Sequence, residues 1–180
     1  MSFLLQRVIP AAAAALFSLG AQATTLTFDD LAHADLYQFV TRYTAGGYVV
    51  TNGTNPIDLG VWGTHSARQA DFGGAALFNN YSHTTTTLRH LQGDVFEFQS
   101  IDIADVYNQA RAFTVDFTFT FSDGVRLTET IHHGATTGLQ RFTFNQPNVI
   151  SVSWANSGVL GSSQFDNVSM GNVTTPIPEP

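Results

Sequence analysis

The chain of 180 residues contains no cysteine and no lysine, and charged residues make up only 12% of it. Without cysteine there is no disulfide framework, so stability has to come from a hydrophobic core or from a bound ion. The basic side chains are seven scattered arginines, which form no stripe that could neutralise a phosphate backbone, so we expect no nucleic-acid partner. The net charge of −7 and a hydrophobic content of 43% fit one acidic domain with an adequate core.

Motifs of common hydrolases and zinc enzymes are also missing: the sequence has neither Gly-x-Ser-x-Gly nor His-Glu-x-x-His. His132 and His133 would face opposite sides of a strand, so we place them in a solvated loop and not at one zinc ion. Asp102, Asp105 and Glu97 are the nearest candidates for a glycosidase carboxylate pair, but nothing marks them as unusual, and we predict that they are solvated surface acids. We therefore expect no catalysis, and a glycan-active enzyme is the least favoured alternative.

The N-terminus has the pattern of an export signal. Arg7 precedes an apolar run over residues 11–19, and Ala21-Gln22-Ala23 fits the small-x-small rule of signal peptidase. The run is shorter than the ~20 residues needed to cross a bilayer, so we predict a cleaved signal peptide over residues 1–23. Cleavage removes Arg7 and leaves all fourteen acidic residues, which takes the net charge to −8.

The clearest strand runs from Phe113 to Phe121, where bulky apolar residues alternate without a break against threonine and aspartate. A period of two places the apolar side chains on one face of a sheet. The following Ser122-Asp123-Gly124 is a strong turn signal, and Val125, Leu127 and Ile131 continue an alternating return strand. The sequence predicts a β-hairpin here.

Further strand patterns extend over the rest of the chain. The segment 95–104 reads as a strand whose apolar phase slips, which predicts a bulge near Gln99 and Ser100. Other strands are predicted at residues 25–28, 47–51, 84–91, 139–144, 149–154 and 164–170. Short strands at this spacing predict an all-β sandwich of two antiparallel sheets.

One short helix is also predicted, because Leu36, Phe39, Val40 and Tyr43 follow helical spacing. It would cover an edge or an end of the sandwich. Trp154 is in phase with neighbouring strand residues, and we expect it in the core.

Four segments, residues 25–31, 93–104, 121–125 and 165–168, together with the Pro-Glu-Pro ending at Pro180, resemble the exported β-sandwich domains of PEP-CTERM proteins. The resemblance implies a jelly-roll sandwich like that of many carbohydrate-binding modules, in bacteria that secrete exopolysaccharide. Such proteins carry, after the Pro-Glu-Pro, a membrane helix and an arginine cluster that an exosortase removes. This sequence ends at Pro180 without that membrane tail, so we expect either that the tail has been trimmed or that the anchor is absent.

The resemblance sets the expected organisation and location. We expect a signal peptide over residues 1–23, a jelly-roll domain over 24–173, and a proline-rich tail over 174–180 that ends in the sorting motif. The expected function is non-catalytic: association with exopolysaccharide or biofilm matrix through carbohydrate or cell-surface binding, after export. An exosortase is an expected partner if the membrane tail exists. The alternative is a purely structural matrix protein without glycan specificity.

Jelly-roll modules of this kind often hold a structural calcium ion where their terminal strands meet. By that resemblance, Asp29 or Asp30 together with Asp166 would bind calcium, a cation that takes six to eight oxygen ligands. The competing interpretation is that Asp29 and Asp166 cap turns through side-chain hydrogen bonds.

A glycan platform needs aromatic rings beside amide or guanidinium groups. The candidates are Trp62, in a predicted glycine-flanked loop at residues 60–63, Tyr81, and Tyr107 with the nearby Asn108, Gln109 and Arg111. Tryptophan and tyrosine are more often packing residues with one polar end hydrogen-bonded, so this alternative stays open.

Overall fold

The computed structural model describes residues 23–53, 55–81, 84–157 and 162–174, and within them the chain is all-β. The regular structure of these described residues consists of twelve strands and one 3₁₀ turn, Asp29–Leu31. The strands are β1 (Thr24–Leu26), β2 (Tyr37–Phe39), β3 (Arg42–Ala45), β4 (Tyr48–Asn52), β5 (Leu59–Trp62), β6 (Leu77–Asn79), β7 (Thr86–His90), β8 (Val95–Asp105), β9 (Phe113–Phe121), β10 (Arg126–His133), β11 (Gln140–Ser157) and β12 (Ser163–Thr174).

The strands form two antiparallel layers, which confirms the predicted sandwich. The first layer has the order β2-β5-β6-β12-β8-β11, with β1 on β12. The second has the order β10-β9-β11-β7-β4-β3. Strand β11 belongs to both, because its first half pairs with β8 and its second half with β9 and β7. The strand changes layers near Asn145 and Asn148, whose φ angles are 53° and 59°.

Aromatic side chains fill the space between the layers. The β9 alternation is confirmed: Val115, Phe117 and Phe119 are fully buried. Phe98 of the opposite layer lies 5.7 Å from Phe119, measured between ring centroids. Trp154 is fully buried, as predicted, with its ring stacked 5.7 Å from that of Phe117. Rings that interlock across two sheets supply most of the burial that a chain without disulfides needs.

The predicted hairpin is confirmed in position and in turn chemistry. Arg126 pairs with Thr120, and the pairing continues without a shift to the end of both strands. Gly124 has a φ of 83°, and the carboxylate of Asp123 accepts a hydrogen bond of 2.9 Å from the Val125 amide. Because β10 is the outermost strand of its layer, Leu127 stays largely exposed although it lies opposite a buried ring.

The phase slip in β8 is a bulge, as predicted. The β8–β12 register shifts between Ser100 and Phe98, so Gln99 is the extra residue. Phe96 and Phe98 on one side of the bulge and Ile101 on the other therefore all reach the core. The strands predicted at 139–144 and 149–154 are two halves of β11, and their separation marks the bend between layers.

Three local predictions are wrong. The region of the predicted helix instead forms β2 and β3, which pair with β5 and β4 respectively. Pairing in a sheet satisfies the backbone hydrogen bonds of these strands. Of the four residues of the expected apolar helix face, only Tyr43 is buried. The segment 60–63 lies mainly in β5, which is paired on both edges. His133 is not solvated: it ends β10, is buried, and stacks on Phe113 with a centroid distance of 4.5 Å.

The predicted signal peptide and proline-rich tail lie outside the described residues, apart from Ala23 and Thr174. Among the described residues there is no helix with the length and hydrophobicity needed to span a membrane.

Candidate functional site

Two loops on the outer side of the first layer enclose a polar cleft, which we call the arginine cleft. The β5–β6 loop (residues 63–76) contributes Ala67 and Arg68, and the β8–β9 loop (residues 106–112) contributes Tyr107, Gln109 and Arg111. The cleft has a volume of about 460 Å³. As far as the described residues form it, its lining contains two arginines and no acidic side chain.

An aromatic pair supports one wall of the cleft. The guanidinium of Arg68 lies 4.9 Å from the ring centroid of Trp62 and 5.1 Å from that of Tyr107. Tyr107 is 44% exposed, whereas Trp62 is 5% exposed and stacks on Phe78. The indole nitrogen of Trp62 donates a 2.7 Å hydrogen bond to the Val106 carbonyl. Trp62 therefore forms the base under Arg68, and Tyr107 presents its ring to the solvent.

Asp105 shapes the opposite wall. One of its carboxylate oxygens accepts hydrogen bonds from the backbone amides of Tyr107 (2.9 Å) and Gln109 (3.2 Å), which folds the loop back on the end of β8. The other oxygen lies 3.9 Å from the guanidinium of Arg111. Arg111 in turn donates a 2.9 Å hydrogen bond to the Gln109 amide oxygen. A fully buried acid thus fixes the loop and partly balances one arginine.

Gln164 on β12 joins the two loops. Its side-chain amide nitrogen donates 2.8 Å hydrogen bonds to the carbonyls of Arg68 and Asp105, and its oxygen accepts a 3.0 Å bond from the Ala70 amide. The side chain is fully buried. Because one amide group holds the backbone of both walls, Gln164 fixes the distance between Arg68 and the β8–β9 loop.

The structure brings together part of the predicted glycan platform. Tyr107 and Arg111 line the cleft, and Trp62 lies beneath it. Asn108 is turned into the scaffold, since it donates to the Gln69 carbonyl and accepts from the Gly138 amide. Tyr81 is 38% exposed but lies beyond the far end of β6, whereas Trp62 is at the other end of the paired strand β5.

Sequence reasoning missed Arg68, which is central to the cleft. It lies in a loop about 40 residues from Tyr107, and no motif surrounds it. The one signal in the sequence was the scarcity of basic residues, because in a chain with so few of them each arginine is a stronger candidate for a binding site.

A second group of polar residues lies where the β5–β6 loop meets the 3₁₀ turn and β12. It consists of Asp29, Asp71 and Asp166, and we call it the carboxylate cluster. Asp166 is 2% exposed, and one of its oxygens is buried without a hydrogen-bond partner. Burial, with the nearby charges of Asp71 and Asp29, raises the pKa of Asp166 to about 8. Burial and the charge of Asp29 also raise the pKa of Asp71.

Gly74 makes room for two of these carboxylates. A side-chain Cβ at this position would lie 2.0 Å from an oxygen of Asp71 and 2.1 Å from an oxygen of Asp29. Any other residue would therefore push the acids apart. An uncompensated cluster of acids is unfavourable, so the composition of this site suits a hard cation with oxygen ligands.

The structure does not complete a metal centre. Within the described ranges, no group of three or more histidine, cysteine or acidic side chains is arranged closely enough to hold an ion. Asp30, the alternative to Asp29 in the sequence prediction, has one oxygen engaged by the Tyr43 hydroxyl at 2.9 Å. Burial and that hydrogen bond raise the pKa of Tyr43. Asp71 was not predicted, because nothing in its loop indicated that it meets the terminal strands.

The prediction that the acids considered for catalysis lie at the solvated surface is wrong for Asp102 and Asp105, which are buried with structural partners. Asp102 makes a two-pronged ion pair with Arg141, at 2.7 and 3.0 Å, and accepts a 3.1 Å hydrogen bond from Asn167. Asp105 holds the β8–β9 loop as described. Glu97 accepts a 3.1 Å hydrogen bond from Gln99.

The protein is an all-β sandwich with a polar site built by two loops. We compared it with known proteins and describe three similar solved structures. No family model matches the sequence, and no curated protein matches it. The chain resembles the CBM22-1–GH10 modules of Clostridium thermocellum Xyn10B in complex with xylohexaose, at 12% identity and a TM-score of 0.43, over 82% of this chain and 28% of that one.

Two further likenesses are to isolated modules. A mutant of the family 29 carbohydrate-binding module CBM29-2 gives 12% identity and a TM-score of 0.47, over 84% of this chain and 92% of that one. A family 30 carbohydrate-binding module gives 12% identity and a TM-score of 0.46, over 88% and 92%. The fold assignment rests on the strand order and the core of this chain.

Proposed function

We propose that this protein is an exported, non-catalytic carbohydrate-binding protein of an exopolysaccharide or biofilm matrix. The arginine cleft is the observation that carries the proposal. It combines an exposed aromatic ring, Tyr107, with a side-chain amide, Gln109, and two guanidinium groups, Arg68 and Arg111, in one concavity.

This combination matches the chemistry of a sugar. The C–H faces of a pyranose ring pack on an aromatic ring, and its hydroxyl groups need both donors and acceptors at the rim. The amide of Gln109 supplies one of each, and the arginines supply donors in a fixed plane. Because Asp105, Trp62 and Gln164 hold the walls through buried contacts, the site is largely formed before a ligand binds.

A pair of tyrosine variants tests the site. Tyr107→Ala should abolish retention on a polysaccharide column or reduce affinity about tenfold, because the stacking surface is lost. Tyr81→Ala is the matched control: the two side chains are exposed to a similar extent, 44% and 38%, at different ends of the layer. The measurement is a glycan array followed by isothermal titration with the retained polymer, for both variants and the unmodified protein.

The outcomes separate the alternative functions. Retention lost with Tyr81→Ala and kept with Tyr107→Ala would contradict the cleft as the binding site. No retention on any glycan, including the exopolysaccharide of the producing cell, would favour the purely structural matrix role. Release of reducing ends during incubation would favour a glycan-active enzyme.

We also propose that the carboxylate cluster binds a structural calcium ion. The buried, unpartnered oxygen of Asp166 and the space left by Gly74 beside Asp29 and Asp71 support this. Calcium would supply the charge that the acids lack, and backbone carbonyls would complete the coordination. The melting temperature should rise in millimolar calcium and fall in EGTA, and a midpoint that is the same in both would overturn the proposal.

Export is part of the proposal and rests on the sequence. The signal pattern over residues 1–23 and the Pro-Glu-Pro at the C-terminus support secretion or display at the cell surface, with an exosortase as the processing partner of a longer form. Mass spectrometry of the protein recovered from the producing cell would test this. A mature form that begins at Thr24 is expected, and recovery of uncleaved protein in the cytoplasm would contradict it.

A further inference from the structure

We infer that the ligand of the arginine cleft is an acidic sugar, one that carries a carboxylate such as a uronic acid. This inference rests on the proposed glycan-binding function and narrows its substrate class. It follows from the distribution of charge in the cleft and from the way in which its two arginines are held.

Positive charge is concentrated in the cleft, although the protein as a whole carries a negative net charge. The chain has no lysine and a net charge of −7, yet two of its seven arginines line this one cavity. No acidic side chain joins them among the described lining residues. A concave site of one sign on a protein of the opposite sign attracts ligands that the rest of the surface repels.

Arg68 has no acidic partner among the described residues, and it lies against two aromatic rings. None of the ion pairs that form among the described residues includes it, in contrast to Arg141, whose partner is Asp102. Its guanidinium lies against the rings of Trp62 and Tyr107, at 4.9 and 5.1 Å from their centroids. Arg68 is exposed, so the N–H groups that do not face these rings remain available to a ligand. A planar guanidinium held in this way binds a carboxylate through two parallel hydrogen bonds.

The ion pair distance between Arg111 and Asp105 determines how much positive charge in the cleft is left for a ligand to neutralise. The Asp105 oxygen that lies 3.9 Å from Arg111 makes no hydrogen bond within the described structure, so the two are close but not joined. One buried carboxylate against two arginines leaves a single positive charge to be matched. One carboxylate per bound sugar residue meets that requirement. A neutral sugar would leave this charge without a partner and would gain no charge-assisted hydrogen bond from Arg68.

The test compares an acidic polymer with its neutral counterpart. Polygalacturonate and the same polymer after chemical reduction of its carboxyl groups differ only in the charged group. We expect the unmodified protein to bind polygalacturonate oligomers about tenfold or more tighter than the reduced oligomers, because a charge-assisted hydrogen-bonded pair is lost. Affinity for the acidic oligomer should fall as sodium chloride is raised, and affinity for the reduced one should not.

Two arginine variants localise the effect. Arg68→Gln should reduce the ratio of the acidic to the neutral affinity to near one. Arg126→Gln removes the same charge from the exposed edge strand β10 and should leave the ratio within about twofold. Arg68 is exposed, so its variant is expected to fold, and its melting temperature checks this.

The outcomes of these binding experiments distinguish the acidic-sugar inference from the proposed glycan-binding function. Equal binding of both oligomers would overturn the acidic-sugar inference and leave glycan binding intact. Equal loss of the ratio in Arg68→Gln and Arg126→Gln would also overturn it, because the effect would then come from overall charge. Absence of binding to these oligomers and to every polymer on the array would overturn the proposed function itself.

Discussion

Two polar side chains on the outer face of β12, those of Gln164 and Asp166, are buried beneath the β5–β6 loop. Gln164 has its hydrogen bonds satisfied by the backbone of both loops. Asp166 has an unpartnered oxygen and a pKa raised to about 8. The two residues are equally buried but differ in their contacts: Gln164 completes the scaffold, whereas Asp166 keeps one oxygen without a hydrogen-bond partner in the described structure.

The first residue-scale prediction concerns Gln164. Gln164→Glu replaces a donor with an acceptor that faces the carbonyls of Arg68 and Asp105, and it should lower the free energy of unfolding by about 3 kcal/mol. Gln38→Glu, at an exposed position of the edge strand β2, is the matched control and should change it by less than about 0.5 kcal/mol. Urea denaturation at pH 7 measures both. Similar stability of the two variants would show that Gln164 does not fasten the loops.

The second concerns the protonation of Asp166 in the absence of calcium. Its pKa is about 8 in the folded state against an ordinary 3.8, so between these values the folded protein retains a proton that the unfolded chain releases. The free energy of unfolding should therefore decline from pH 5 to pH 8, by about 3–4 kcal/mol through this group, and level off above pH 8.

Asp166→Asn has no proton to lose and isolates this effect. With EGTA present, its stability relative to the unmodified protein should improve as the pH rises from 5 to 8, because carboxyl groups remote from Asp166 contribute equally to both proteins. The readout is urea denaturation at several pH values. A stability difference that does not change with pH would contradict the raised pKa.

At the scale of elements, the sequence predicted what local alternation determines. Strand β9 and its turn follow from period-two alternation and Asp-Gly chemistry, and the β8 bulge follows from a phase slip. The helix prediction was wrong because β2 and β3 are short strands whose backbone hydrogen bonds are made with distant partners, β5 and β4. Spacing in a three- or four-residue strand does not carry enough information to reveal such partners.

An element-scale prediction uses two glycines that flank the second strand of the hairpin. A Cβ would meet nothing within 4 Å at either Gly124 or Gly134, but only Gly124 has a positive φ, of 83°. Gly124→Ala should therefore cost about 1 kcal/mol, or roughly 2–4 °C in melting temperature, while Gly134→Ala should be neutral or slightly stabilising. Differential scanning calorimetry measures both. Equal effects would mean that backbone conformation is not what the turn requires of Gly124.

At the scale of the whole molecule, the site is the part that sequence alone left incomplete. Tyr107 and Arg111 were predicted because they share a short segment with amide side chains. Arg68 and Asp71 were not, because each acquires its role only when the β5–β6 loop folds over β12. Convergence of loops is a property of the sandwich and not of any window of sequence.

The shared strand β11 predicts that the two layers unfold together. The chain has two tryptophans: Trp154 in the core and Trp62 under the cleft. In Trp154→Phe and in Trp62→Phe, the fluorescence of the remaining indole and the far-ultraviolet circular dichroism should give one denaturation midpoint. An earlier fluorescence midpoint in Trp154→Phe alone would show that the cleft end opens independently.

The β5–β6 loop carries Arg68 and Asp71 three positions apart, and β12 carries Gln164 and Asp166 two positions apart. If the proposed calcium ion binds between Asp71 and Asp166, it would restrain the same loop and strand that carry Arg68 and Gln164. The proposed polymer binding would then be tighter in hard water than in soft water, while the hydrogen bonds of Gln164 and Asp105 keep the cleft formed in both.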